Sequence, residues 1–102
     1  MPMRHEITAD ELKRLHERGA DFFLVDVREG EEQERGTIPG SLRIPLDDLD
    51  RAMEGIPKDK PLVLYCRRGP RSLRGCMVLR DKGFSDVRML RGGYEEWQTM
   101  GR

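Results

Sequence analysis

Leu62-Val63-Leu64-Tyr65-Cys66-Arg67-Arg68-Gly69-Pro70-Arg71-Ser72 reads as an apolar strand that ends in a cysteine, a short cationic loop, and the start of a helix. The same alternation continues on both sides of it. Downstream, Ser72–Lys82 reads as a helix that Gly83 ends, Asp86–Leu90 as a strand, Arg91-Gly92-Gly93 as a turn and Tyr94–Met100 as a closing helix. Upstream, residues 56–61 are loop, and Pro45 opens a helix around Asp47–Gly55 on which Leu46, Leu49 and Met53 recur at helical intervals. Ser41–Ile44 reads as a brief strand, Gly36–Gly40 as turn material and Glu29–Arg35 as a charged stretch with one short helical turn. Phe22–Val27 is a continuous apolar strand of the kind buried on both faces. Thr8–Glu11 has the pattern of a capping box, with Leu12 and Leu15 on one face of a first helix that Gly19 stops. Helices alternating with buried-type strands predict an α/β fold of three layers, a mainly parallel sheet with helices on both faces. No repeat, linker or low-complexity tract divides the chain, so residues 1–102 are expected to form one domain.

Composition narrows the function classes. Charged residues make up 37% and hydrophobic residues 36%, with 19 basic and 19 acidic side chains giving a formal net charge of zero. Whole-protein attraction to nucleic acid or to an anionic membrane is therefore not implied; any preference for anions must be local, at residues 67–71. The N-terminal stretch lacks the apolar core of a secretory signal, and the apolar runs are far too short to cross a bilayer. Two cysteines, Cys66 and Cys76, without a C-x-x-C spacing or a histidine pair, argue against a disulfide framework or a metal site. A cytoplasmic protein with free thiols and no cofactor is the expectation.

The loop carries the chemistry. Ligands of an open α/β sheet bind beyond the carboxyl ends of its strands, and Cys66 ends one such strand, with Asp26-Val27-Arg28 ending the other. A helix N-terminus gathers backbone N–H groups that attract negative charge. Such electropositive sites lower a cysteine pKa from ~8.5 into the range of ~3.5–7.5, and the thiolate is the nucleophile. Cys66 is thus the candidate catalytic residue. The N–H donors facing it are expected among residues 67–69, 71 and 72, since Pro70 has none, and Gly69 supplies the backbone freedom a tight cup needs. A buried, inert strand cysteine is the bland alternative, but it leaves three arginines and a glycine within five residues unexplained.

At this point the chain resembles the rhodanese family of sulfurtransferases. Cys66-Arg67-Arg68-Gly69-Pro70-Arg71 matches that family's Cys-x-x-Gly-x-Arg loop. Asp26-Val27-Arg28 resembles its Asp-Val-Arg strand end, Gly36–Ser41 its Gly-His-Ile-Pro-Gly-Ala turn, and Gly92–Trp97 its Gly-Gly-x-x-x-Trp box, all in the family's order. Thr37 stands where the family has histidine, and Pro70 removes one donor. The resemblance implies a double displacement. Cys66 takes the outer sulfur of thiosulfate, or of a persulfide donor, as a persulfide, and passes it to cyanide, a thiol or a protein acceptor. Arg67, Arg68, Gly69, Arg71 and Ser72 would then bind the substrate anion. Arg71, the motif arginine, could instead turn inward to hold the loop.

Other residues have plainer readings. Asp26 and Arg28 are expected in a second shell, most simply as a structural ion pair. Cys76 is expected in the core, with a resolving thiol as the sharper alternative. His5 and His16 read as surface residues, Trp97 as a packing anchor, and Gly92 and Gly93 as a turn. A cysteine phosphatase or arsenate reductase is the nearest enzymatic rival, but phosphatase loops resembling the dual-specificity type place five residues between cysteine and arginine, and here four separate Cys66 from Arg71. A sulfur carrier within a pathway and a non-catalytic binding module are the remaining alternatives.

Overall fold

The computed structural model describes residues 5–100, along which strands and helices alternate. In chain order they are β1 (Glu6–Ile7), α1 (Ala9–Glu17), β2 (Phe23–Asp26), α2 (Gly30–Glu34) and β3 (Leu42–Arg43). A 3-10 turn (Leu46–Asp48) leads into α3 (Leu49–Ala52), followed by β4 (Leu62–Tyr65), α4 (Pro70–Asp81), β5 (Val87–Leu90) and α5 (Gly93–Met100). The five strands form one parallel sheet in the order β1-β5-β4-β2-β3. The architecture is the α/β one expected from the sequence.

Both faces of the sheet are covered, and β4 shows how. Leu62 and Leu64, with Cys66 just beyond them, pack with Leu49, Met53, Cys76 and Leu79 from the α3–α4 side. Val63 and Tyr65 point the other way, into a cluster with Ala9 and Leu12 of α1 and with Tyr94 and Trp97 of α5. A strand's two-residue period sends neighbours to opposite faces. With apolar neighbours on each side, the strand reads as an unbroken hydrophobic run. Burying each such leucine is worth roughly 1.5–3 kcal/mol.

Several boundaries differ from the sequence reading. α4 starts at Pro70 rather than Ser72, because the first helical position has no intrahelical use for the N–H that proline lacks. The segment predicted as a helix over 47–55 is a 3-10 turn followed by one α-helical turn ending at Ala52. Leu49 and Met53 are its two fully buried anchors, and two anchors one turn apart fix only one turn. β1 was not anticipated. It is two residues long and buries Ile7 alone, which leaves no periodicity to read. The capping box at Thr8 and Glu11 is formed, with Thr8 N–H on Glu11 Oε1 at 2.9 Å and Glu11 N–H on Thr8 Oγ1 at 3.1 Å.

Strand order positions the site. From β2 the chain moves outward to β3, whereas from β4 it moves to β5 on the opposite side. Where connections diverge in this way a crevice opens over the carboxyl ends of the two strands. Asp26 pairs with Tyr65 in the β2–β4 register, and the Val27 N–H donates to the Tyr65 carbonyl at 3.0 Å. Asp26-Val27-Arg28 and Cys66-Arg67 therefore leave the sheet side by side. Among the described residues no helix is long and apolar enough to cross a membrane.

Candidate active site

Cys66 lies one residue past β4 with 1% of its surface exposed. Its Sγ accepts hydrogen bonds from the Gly69 N–H at 3.0 Å and the Ser72 N–H at 3.4 Å. Among the described residues these are the two backbone donors that reach the sulfur, out of the wider set expected at 67–69, 71 and 72. Gly69 caps α4 with φ +146, in the region where a side chain is unwelcome. That turn folds the loop back so that both the Gly69 amide and the start of α4 point at the sulfur. Ser72 is fully buried; its Oγ donates to the Gly69 carbonyl at 2.8 Å and lies 3.6 Å from Sγ. The helix dipole and the two N–H groups act in one direction, stabilising negative charge on the sulfur.

The three arginines are all paired. Arg67 Nε and Arg68 Nε both donate to Glu95, at 2.8 and 3.1 Å, from exposed positions on the rim. Their hydrogen bonds, Arg67 first, hold the Glu95 carboxyl below its ordinary range. Arg71 turns toward α2 and grips Glu32 with both terminal nitrogens, at 2.6 and 2.9 Å. The hydrogen bond from Arg71 is the main reason that the Glu32 carboxyl is pulled down to about 2. Cys66, Arg67, Arg68, Pro70 and Arg71 together line an open cup over the sulfur.

A second layer fixes the frame. Asp26 is completely buried and holds Arg28 through Nε–Oδ1 at 3.0 Å and Nη2–Oδ2 at 2.8 Å. Arg28 in turn donates to the Gly36 carbonyl at 2.6 Å and stacks over Tyr94, 4.2 Å from the ring centre. Gln33 of α2 caps the end of β2 by donating to the Asp26 and Arg28 carbonyls, each at 3.1 Å. The Tyr65 hydroxyl accepts from the Ile38 N–H at 3.0 Å and donates to Ser41 Oγ at 3.1 Å. Burial pushes that phenol up to about 12. The turn at 36–41 is thus tied to both β2 and β4.

From the other side, α5 clamps the loop. The Tyr94 N–H donates to the Cys66 carbonyl at 2.8 Å and the Glu95 N–H to the Arg67 carbonyl at 3.1 Å. Gly93 makes this approach feasible: it has φ +62, and a Cβ there would stand 2.5 Å from the Arg67 oxygen and 2.6 Å from that of Cys66. The sequence reading took Gly93 for a turn residue; it is the contact through which the last helix meets the loop. Glu32, Glu95 and the Tyr65 hydroxyl were missed as well. No local pattern announces them, because their partners lie far along the chain. Only the paired glycines at 92–93 offered a signal.

Residues read as non-catalytic stand apart from the cup. Cys76 is 1% exposed within the α3–α4 core, both cysteines are free, and burial pushes the Cys76 thiol up to about 11. His16 is exposed, its ring against Phe22 and Trp97.

A family profile described as "Rhodanese-like domain" matches residues 8–100. A sulfurtransferase of Allochromatium vinosum is 37% identical over 99 residues, which cover 97% of this chain and 92% of that protein. The human thiosulfate:glutathione sulfurtransferase is 35% identical over 88 residues, covering 72% of this chain and 76% of that one. Among solved structures, the human single-domain sulfurtransferase TSTD1 superposes with a TM-score of 0.89 at 29% identity, covering 96% of this chain and 98% of that chain.

Proposed function

The chain belongs to the rhodanese-like domain family, and on that premise we propose that it is a sulfurtransferase working through a persulfide on Cys66. The observation that carries this is the sulfur of Cys66 held by the Gly69 and Ser72 N–H groups at the start of α4. In the first half-reaction the Cys66 thiolate attacks the outer sulfur of thiosulfate. A Cys66–sulfur bond forms, the S–S bond of thiosulfate breaks, and sulfite leaves with the electron pair. In the second, cyanide or a thiolate attacks that outer sulfur and Cys66 departs as thiolate. An organic persulfide can serve as donor, and a protein thiol as acceptor, by the same chemistry.

Each part of the site has a role in this scheme. The N–H pair at the α4 N-terminus stabilises the anionic persulfide. Arg67 and Arg68, on the rim, attract the donor anion; because exposed ion pairs are weak, the anion can draw them from Glu95. Arg71 positions the loop through Glu32 and does not need to touch substrate. Asp26, Arg28 and Tyr65 hold the frame. The relay predicts ping-pong kinetics. A free thiol nucleophile suits a reducing setting such as the cytoplasm.

The test is intact-mass measurement of wild type and Cys66→Ser after thiosulfate, before and after cyanide. The expected result is a gain of one sulfur on wild type alone, removed by cyanide with thiocyanate released. Wild type that takes up no sulfur, but turns over an aryl phosphate, would replace this reading with the phosphatase one.

A further inference from the structure

The outer face of α4 is apolar where it leaves the cup. Ser72, Gly75, Cys76 and Leu79 of this helix are buried, so its period turns Pro70, Leu73, Arg74 and Met77 to solvent. Among the described residues three large hydrophobic side chains are exposed, and two of them, Leu73 at 48% and Met77 at 59%, stand one turn apart on this face. Pro70, about one turn before Leu73, is exposed and is also a wall of the cup over the Cys66 sulfur. Pro70, Leu73 and Met77 therefore form a ridge that begins at the opening above the reacting atom. A lone exposed leucine needs no explanation, but contiguous apolar surface running from an active-site wall fits contact with another molecule.

Chemistry narrows the occupant. The sulfur is 1% exposed at the floor of the cup, so a thiol must project to reach it, and a reactant the size of thiosulfate has no use for the ridge. Arg74, between Leu73 and Met77, is exposed and has no carboxylate partner among the described residues. Asp81, exposed on the same helix, lies about two turns beyond it, and Glu95 is already held by Arg67 and Arg68. The ridge thus presents apolar side chains around a free cation, the complement of an apolar surface that carries carboxylates. A second copy seated over the cup end would set Arg74 against Arg74, which disfavours self-pairing there. The unbranched, polarisable chain of methionine adapts well to such a contact.

We infer that the Pro70–Leu73–Met77 ridge is the docking surface for a protein sulfur acceptor, which presents its thiol on a projecting segment flanked by apolar and acidic side chains. The inference rests on the sulfurtransferase reading and names the partner of that same site. With the segment laid along α4, its thiolate enters the cup past Pro70 and attacks the outer sulfur of the Cys66 persulfide. A new S–S bond forms to the partner and the bond from that sulfur to Cys66 breaks. Cys66 leaves as thiolate, and the partner carries the persulfide away.

The experiment loads the protein with sulfur from thiosulfate and follows loss of the added mass in single turnovers. One acceptor is a short peptide with a cysteine among leucines and glutamates; a second has serines and glutamines in their places; cyanide is the third. The intrinsic reactivity of each peptide is the same toward every variant, so a change in the ratio of the two peptide rates reports the ridge. In Leu73→Ser/Met77→Ser the ratio of the leucine–glutamate peptide to its polar counterpart is expected to fall about tenfold. Arg74→Glu should lower it as well, while discharge to cyanide stays near the wild-type rate in both variants. Arg14→Glu, exposed on α1 across the sheet, reports the general effect of one reversed charge and should leave the ratio unmoved. A ratio unchanged in Leu73→Ser/Met77→Ser overturns the docking surface, and so does an equal fall in Arg14→Glu and Arg74→Glu. Wild type that sediments as a dimer, made monomeric by the double substitution, would make the ridge a contact between copies and overturn it too. If wild type acquires no sulfur from thiosulfate, the sulfurtransferase reading itself fails, which the mass shows before any acceptor is added.

Discussion

Gly93 is the position where one methyl group has the most leverage on the site. Its φ of +62 disfavours any side chain, and the carbonyls it would strike are those of Cys66 and Arg67. Gly93→Ala is expected to cost at least about 2 kcal/mol in urea unfolding and to lower sulfur transfer more than tenfold. Full stability and activity in that variant would mean that α5 does not clamp the loop. The two cysteines make a second contrast. Sγ of Cys66 faces two N–H donors, while burial, only partly offset by the charge of Arg80, pushes the Cys76 thiol up to about 11. Brief iodoacetamide treatment of the folded protein at pH 7.5 should therefore give one adduct, mapped to Cys66 and absent from Cys66→Ser; labelling of Cys76 first would contradict that contrast. Cys66, Gly69 and Ser72 were legible in the sequence because the cup they form is local, seven residues from end to end. Gly93 was visible only as half of a glycine pair, since the reason for it is a carbonyl on a distant loop.

Elements meet around the loop through ion pairs, and the pair between α2 and α4 titrates. Folding lowers the Glu32 carboxyl from its ordinary 4.5 to about 2, mainly through the Arg71 hydrogen bonds. The folded state thus prefers Glu32 ionised. The pair contributes fully above pH ~4.5, where Glu32 is ionised in the unfolded chain too, and its contribution disappears as pH falls toward 2. Both side chains are about one-third exposed, which holds its worth to about 1 kcal/mol. Glu32→Gln should lower stability by that much at pH 7, with the difference from wild type vanishing near pH 2 in urea titrations. A difference independent of pH would assign the loss to packing. At this scale the sequence was partly readable. The charged stretch at 29–35 announced a helical turn, and Arg71 was weighed as a loop-holding residue. Glu32 as the group that holds it was not visible, because α2 and α4 come together only when β2 and β4 pair.

For the whole molecule, the sheet is one surface shared by two cores. Leu64 of β4 belongs to the α3–α4 side, and Leu12 of α1 belongs to the other, both with no exposed surface. If the chain is one folding unit, Leu64→Ala and Leu12→Ala should each cost about 2–5 kcal/mol and shift a single transition seen alike by fluorescence and circular dichroism. Separate transitions for the two sides would divide the chain. The α/β class was readable because each long strand carries apolar residues for both faces, so strand and helix patterns stayed distinct. Strand order, the two-residue β1 and the shortened helix after Pro45 were not, since each depends on what packs alongside.

The clamp from α5 has a consequence for a chain still being made. The amides of Tyr94 and Glu95 that grip the loop leave the ribosome after the cysteine they frame. A nascent chain that has extruded β4 and α4 already carries the thiol with its two N–H donors, and gains the brace on the loop's carbonyls only when α5 docks.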